Sequence, residues 1–128
     1  MPSPIQLNVT TAGWKERSKF FRQLPKEAAK QLAVTINDSA RELRTELRSR
    51  APRKTGALRK SIRVVRRASA RRLRAIVQIG KFYALMIEYG ARFMSAMPFI
   101  RPSQEARREP HRRAVKSAVN RAIHAIRI

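Results

Sequence analysis

The apolar stripe of Ala28, Leu32, Ile36, Ala40, Leu43 and Leu47 constrains this chain more than any other feature. These residues recur every three or four positions, so on a helix of 3.6 residues per turn they share one side. A helix of that length with one apolar face must lie against another layer of structure. Pro25 suits its first turn, where a missing N–H costs nothing. Arg50-Ala51-Pro52 ends it, because the residue before a proline is pushed away from helical angles. The outer face carries Lys26, Lys30, Arg41, Arg44 and Arg48, with Glu27, Glu42 and Glu46 between them.

The rest of the chain supplies the opposing layer. Residues 5–9 alternate apolar and polar, the pattern of a short strand. Trp14, Phe20, Phe21 and Leu24 fall at loose helical spacing and read as a packing lid over the core rather than a platform for stacked bases. Thr55-Gly56 forms a turn, with Gly56 a site for positive φ. Ile62, Val64 and Val65 make one strand, Leu73, Ala75, Val77 and Ile79 a second, and residues 68–72 the tip between them. Residues 82–89 predict a short helix with Gly90 as its C-terminal cap. Pro102 opens a last helix with a stripe of Val115, Ala118, Val119, Ala122, Ile123 and Ile126, and Pro110 predicts a kink or break near Glu109. The order β–α–β–β–α–α predicts an α+β fold. A long N-terminal helix and a C-terminal helix would pack on a small antiparallel sheet with a protruding basic hairpin. A length of 128 residues predicts one domain over 1–128.

Charge is the outlier. Thirty Lys and Arg face eight Asp and Glu, a net +22. Such a chain should meet a polyanion or an acidic protein surface. Charge positions a protein on nucleic acid but does not read bases, so any such contact should be non-specific. Residues 48–81 hold thirteen basic side chains and no acid. Arg59, Arg63, Arg66, Arg67, Arg71, Arg72 and Arg74 lie on or beside the expected hairpin and are the candidate contacts to DNA or to an acidic neighbour. Unrelieved like charge is costly, which disfavours a merely solvated face. The last helix is also basic, with Arg107, Arg108, Arg112, Arg113, Lys116 and Arg121, and its apolar stripe reads as core.

Catalytic patterns are missing from this sequence. His111 and His124 lie thirteen residues apart, too far for a metal pair on one helix. The acids are too sparse for a paired-carboxylate or two-metal centre. Arg53-Lys54-Thr55-Gly56 lacks the leading glycine of a phosphate loop. No catalytic, cofactor-binding or metal-binding residues are expected, and the chain is not expected to be an enzyme. There is no cysteine, which excludes disulfides and thiolate metal sites and fits a reducing compartment. Residues 1–10 lack the apolar core of a signal peptide, and the longest apolar run, 82–87, is too short to span a bilayer, so no membrane is expected. Glu88 is the lone acid between Glu46 and Glu105. It is expected to pair with a nearby arginine or with the Gly56 turn, and so to fix the 80–100 segment.

Three words add a family likeness. They are Ala51-Pro52-Arg53-Lys54-Thr55-Gly56-Ala57-Leu58-Arg59-Lys60-Ser61-Ile62, Tyr83-Ala84-Leu85-Met86-Ile87-Glu88-Tyr89-Gly90, and Pro98-Phe99-Ile100-Arg101-Pro102. In order and spacing they resemble the "AP..TG.L..S", "YA..vE.G" and "PF.rP" words of phage head–tail joining proteins of the tail-completion (minor tail protein Z) group. Residues 33–44 also resemble that group's "A..iN..a..lr" helix. The resemblance implies a structural virion protein, assembled in the host cytoplasm, forming a homo-oligomeric ring at the neck. Its neighbours would be head-connector and tail-terminator or tail-tube proteins, with non-specific contact to packaged DNA. It implies structural or interface roles for Thr55, Gly56, Glu88, Gly90, Pro98, Phe99 and Pro102. The basic excess is not part of the group's pattern. About six copies would gather roughly +130 around one axis, which demands DNA or acidic neighbours nearby. The alternative is a free-standing, non-specific nucleic-acid-binding protein, which accounts for the charge and not for the three words.

Overall fold

A computed structural model of the chain describes residues 5–11, 23–52, 56–81, 83–92 and 94–126. The elements run β1 (Ile5–Val9), α1 (Lys26–Arg50), α2 (Ala57–Ser61), β2 (Ile62–Arg66), β3 (Ala75–Ile79), α3 (Ala84–Tyr89) and α4 (Ile100–Ile126). The fold is α+β, as the sequence predicts. The aromatic lid expected at Trp14, Phe20 and Phe21 lies outside the described residues, as do Arg53, Lys54 and Thr55.

The sheet order is β1-β3-β2, antiparallel throughout. Residues directly opposite each other share a sheet face. Ile5 and Ile62 flank Ile79, Leu7 and Val64 flank Val77, and Val9 faces Ala75. This apolar face meets α1, whose Leu32, Ile36, Ala40 and Leu47 are fully buried. Each such Leu or Ile contributes about 1.5–3 kcal/mol by leaving water. On the other face Gln6 donates to Gln78 across the strands, 3.2 Å. A bulge between Val64 and Arg66 places Arg66 opposite Ile76 and so on that outer face.

Helix α4 lies along α1, the broadest contact between helices in the fold. Val115, Ala118, Val119 and Ala122 bury its stripe, as predicted. Two expectations fail here. The helix begins at Ile100, so Pro102 sits inside its first turn rather than opening it. It also runs through Pro110 without a break. Proline removes the hydrogen bond to Ala106 four residues earlier, and Ala106 is exposed, where water can take its carbonyl. Packing on α1 holds the rest in line. Helix α2 was not anticipated; Gly56, at φ +72°, starts it, and Lys60 N–H closes its turn on the Gly56 carbonyl at 3.1 Å. Among the described residues no helix is long and apolar enough to cross a membrane.

Candidate partner-binding surfaces

The β2–β3 connection carries the expected arginines. Arg66, Arg67, Arg71 and Arg72 are exposed, as is Arg63 on β2, while Arg74 is half-buried. Ser69 and Arg72 close the turn with two backbone hydrogen bonds, 2.8 and 3.0 Å. Asn37 on α1 grips the same segment from below. Its Nδ2 donates to the Ala68 carbonyl at 3.1 Å, and Ala68 N–H donates to its Oδ1 at 2.7 Å. Ala68 and Leu73 are buried on either side of the tip. The protrusion predicted for this hairpin is therefore not borne out as such. The connection is tied to α1, and its charged side chains turn outward. An arginine cluster held on a fixed backbone gives up less conformational entropy on meeting a partner than one on a free loop.

Two basic residues of the same stretch have other work. Arg48 donates through Nε and Nη2 to the Ile62 carbonyl, 2.9 and 2.6 Å. Arg59, a candidate contact, donates through Nε and Nη2 to the Ala51 carbonyl, 3.2 and 3.0 Å, beside the C-terminus of α1. Both staple α1 to the segment that follows it. Sequence alone could not separate these two from the outward arginines, because all of them share one basic run.

Glu88 is the most telling residue of the set. It is only 6% exposed. Its Oε1 accepts Phe99 N–H and Ile100 N–H, both at 2.7 Å, and its Oε2 accepts Arg101 N–H at 3.0 Å. These are the open donors at the start of α4. Pro102 has no N–H, and Ser103 N–H already reaches the Phe99 carbonyl at 3.2 Å. One carboxylate thus satisfies the whole first turn of a 27-residue helix, at the end where the helix dipole favours negative charge. The expected partner, an arginine or the Gly56 turn, is replaced by backbone: Glu88 on α3 accepts from the turn that leads into α4. Phe99 beside it is fully buried. Gly90 follows at φ +83° and ψ 169°, and its N–H closes α3 on the Met86 carbonyl at 2.8 Å. Pro98 leads directly into the capped turn.

A cleft of about 420 Å3 opens between the end of β1, α1 and α4, lined by Val9, Leu43, Arg107, Arg108, His111 and Arg112 among others. His111 Nε2–H donates to the Thr10 carbonyl at 2.8 Å. Burial pushes its pKa below the usual histidine value; the Thr10 bond opposes this, and the Arg107 charge reinforces it. Arg107 pairs with Glu42 across the two helices. Among the described residues no group of three or more His, Cys, Asp or Glu side chains could hold a metal ion.

The sequence assigned Asn37 and His111 no role and placed Arg48 on the outer face of α1, whereas its half-buried guanidinium turns to the Ile62 carbonyl. For Asn37 a signal existed: it is the "N" of the helix word at 33–44, and a side-chain amide at the edge of an apolar stripe wants a backbone partner.

Comparison with known proteins adds one match. A family model described as "Bacteriophage HK97-gp10, putative tail-component" covers residues 15–90. That span includes α1, the β2–β3 pair and α3, and stops before the turn that Glu88 caps. No curated protein and no solved structure matches the chain.

Proposed function

The chain belongs to the HK97-gp10-like family of phage tail components, and from that premise we propose that it is a structural protein of the virion neck, where it completes the tail and joins it to the DNA-filled head. The match over more than half of the chain carries this reading. The order of the three words, which continues past the matched span to Pro102, supports the head–tail joining branch of it. The mechanism is docking of complementary surfaces rather than catalysis. Copies related by rotation close a ring between head-connector and tail proteins.

The exposed arginines at 66, 67, 71 and 72 are the contact of first choice, either to packaged DNA or to an acidic neighbouring subunit. Both partners fit a chain of +22. The fold holds these side chains without using them: their neighbours Ala68 and Leu73 do the packing. Changing all four to Glu should leave the helical signal and unfolding midpoint unaltered and abolish formation of joined particles in a complementation assay. A normal yield of infectious particles from that variant would refute the assignment. The charge also favours a second reading, a non-specific nucleic-acid-binding protein. Such a protein would hold duplex DNA near physiological salt and lose it steeply as salt rises.

A further inference from the structure

We propose that a groove between α1 and the β2–β3 connection, walled by Arg41, Arg44 and Arg67, is a site for a backbone phosphate of duplex DNA. Residues 37, 41, 44 and 48 recur at helical spacing and form one stripe along α1. Both ends of the stripe are tied to the sheet. Asn37 holds Ala68 by two hydrogen bonds, and Arg48 holds the Ile62 carbonyl. Arg41 and Arg44 lie between those ties and so flank β2, an edge strand. Arg67 comes from the opposite wall, next to the backbone that the Asn37–Ala68 pair fixes. The space between them is about 190 Å3, and Val34, Asn37 and Val64 complete its lining. The cations are therefore set around the groove before any ligand arrives, and little ordering entropy opposes binding.

Three guanidinium groups from two distant parts of the chain meet here. Asp38 pairs with Arg41, but both side chains are more than half exposed, and such a pair is worth little in water. Among the described residues neither Arg44 nor Arg67 has an ion-pair partner. A groove of this size admits one acidic group and not a length of peptide. Its surroundings decide which molecule brings that group. Residues 47–87 contain no acid, and exposed Arg63, Arg66, Arg71 and Arg72 carry the charge onward from Arg67. Duplex DNA offers one negative charge per about 1.7 Å of its axis, so a short stretch of backbone neutralises the whole row. A protein would have to gather as many unpaired carboxylates on one face, against their mutual repulsion. Forked donors on phosphate oxygens set the orientation of the duplex and read no base. This site deepens the neck reading above and rests on it only for the source of the DNA.

The test is fluorescence anisotropy of a short labelled duplex with the nuclease-treated full chain, between about 0.1 M and about 0.4 M NaCl. An Arg41→Gln, Arg44→Gln, Arg67→Gln variant is set beside Arg108→Gln, Arg112→Gln, Arg113→Gln on α4, which has the same net charge. The groove variant should bind about tenfold more weakly, with a salt slope shallower by about one, and keep the circular dichroism of wild type. The α4 variant should stay within about threefold of wild type. Should the triple groove variant not fold, Arg67→Gln alone, which changes one exposed side chain, should weaken binding several-fold. Equal losses in the two triple variants would overturn the proposal, since net charge alone would then account for binding. So would a groove variant that binds like wild type, or polyglutamate that displaces the duplex at equal or lower concentration of charge. If the groove variant loses DNA and virions carrying it still join head to tail, the site stands and its use at the neck falls.

Discussion

Glu88→Ala should lower the unfolding free energy by about 3–5 kcal/mol, a large part of the total for a chain of this size. The cost is not one lost contact. Phe99, Ile100 and Arg101 would each keep an N–H with no acceptor, and the first two sit in buried positions. An unsatisfied buried donor costs about 1–3 kcal/mol. Helix α4 would also lose the negative charge at its N-terminus. Denaturant titration of wild type and variant measures the loss. Glu88→Gln should fall between them. Its amide oxygen can still accept from Phe99 and Ile100, while its NH2 group confronts the Arg101 N–H. A Glu88→Ala midpoint within about 1 kcal/mol of wild type would show that water or a neighbour serves these donors instead.

Gly90→Ala should cost about 2–4 kcal/mol for two separate reasons. At φ +83° and ψ 169° the backbone occupies a region open essentially to glycine alone. A Cβ there would also lie 3.1 Å from Ala96 N and 3.1 Å from the Met94 carbonyl oxygen, and neither backbone atom can swing aside. Gly56 provides the control. It also has positive φ, at +72°, but a Cβ would meet nothing within 4 Å. Gly56→Ala should therefore lose only the backbone contribution, about 1 kcal/mol. Equal losses at the two positions, measured by thermal or denaturant unfolding, would contradict the close approach of the 94–96 segment.

The strongly periodic parts of the fold were legible in the sequence. The stripe from Ala28 to Leu47 predicts α1 and its buried face, and the alternation from Leu73 to Ile79 predicts β3, though not its place at the centre of the sheet. Gly56 and Gly90 announce their positive φ because few other residues tolerate it. The words at 83–90 and 98–102 were recognisable separately, but their connection was not. A carboxylate eleven to thirteen residues ahead of its donors leaves no local pattern, since the contact depends on how the intervening segment folds back. Pro110 misled for a related reason: local propensity predicts a break, and tertiary packing along α1 outweighs it. Helix α2 is only five residues long, and the run Ala-Leu-Arg-Lys-Ser carries too little periodicity to separate it from a turn.

Whether this chain joins heads to tails is read by electron microscopy of lysates from a phage deleted for its gene. DNA-filled heads and finished tails should accumulate side by side without infectious joints, and the wild-type gene supplied in trans should restore them. Normal infectious particles from the deletion would rule out a neck role and bring the nucleic-acid-binding reading forward.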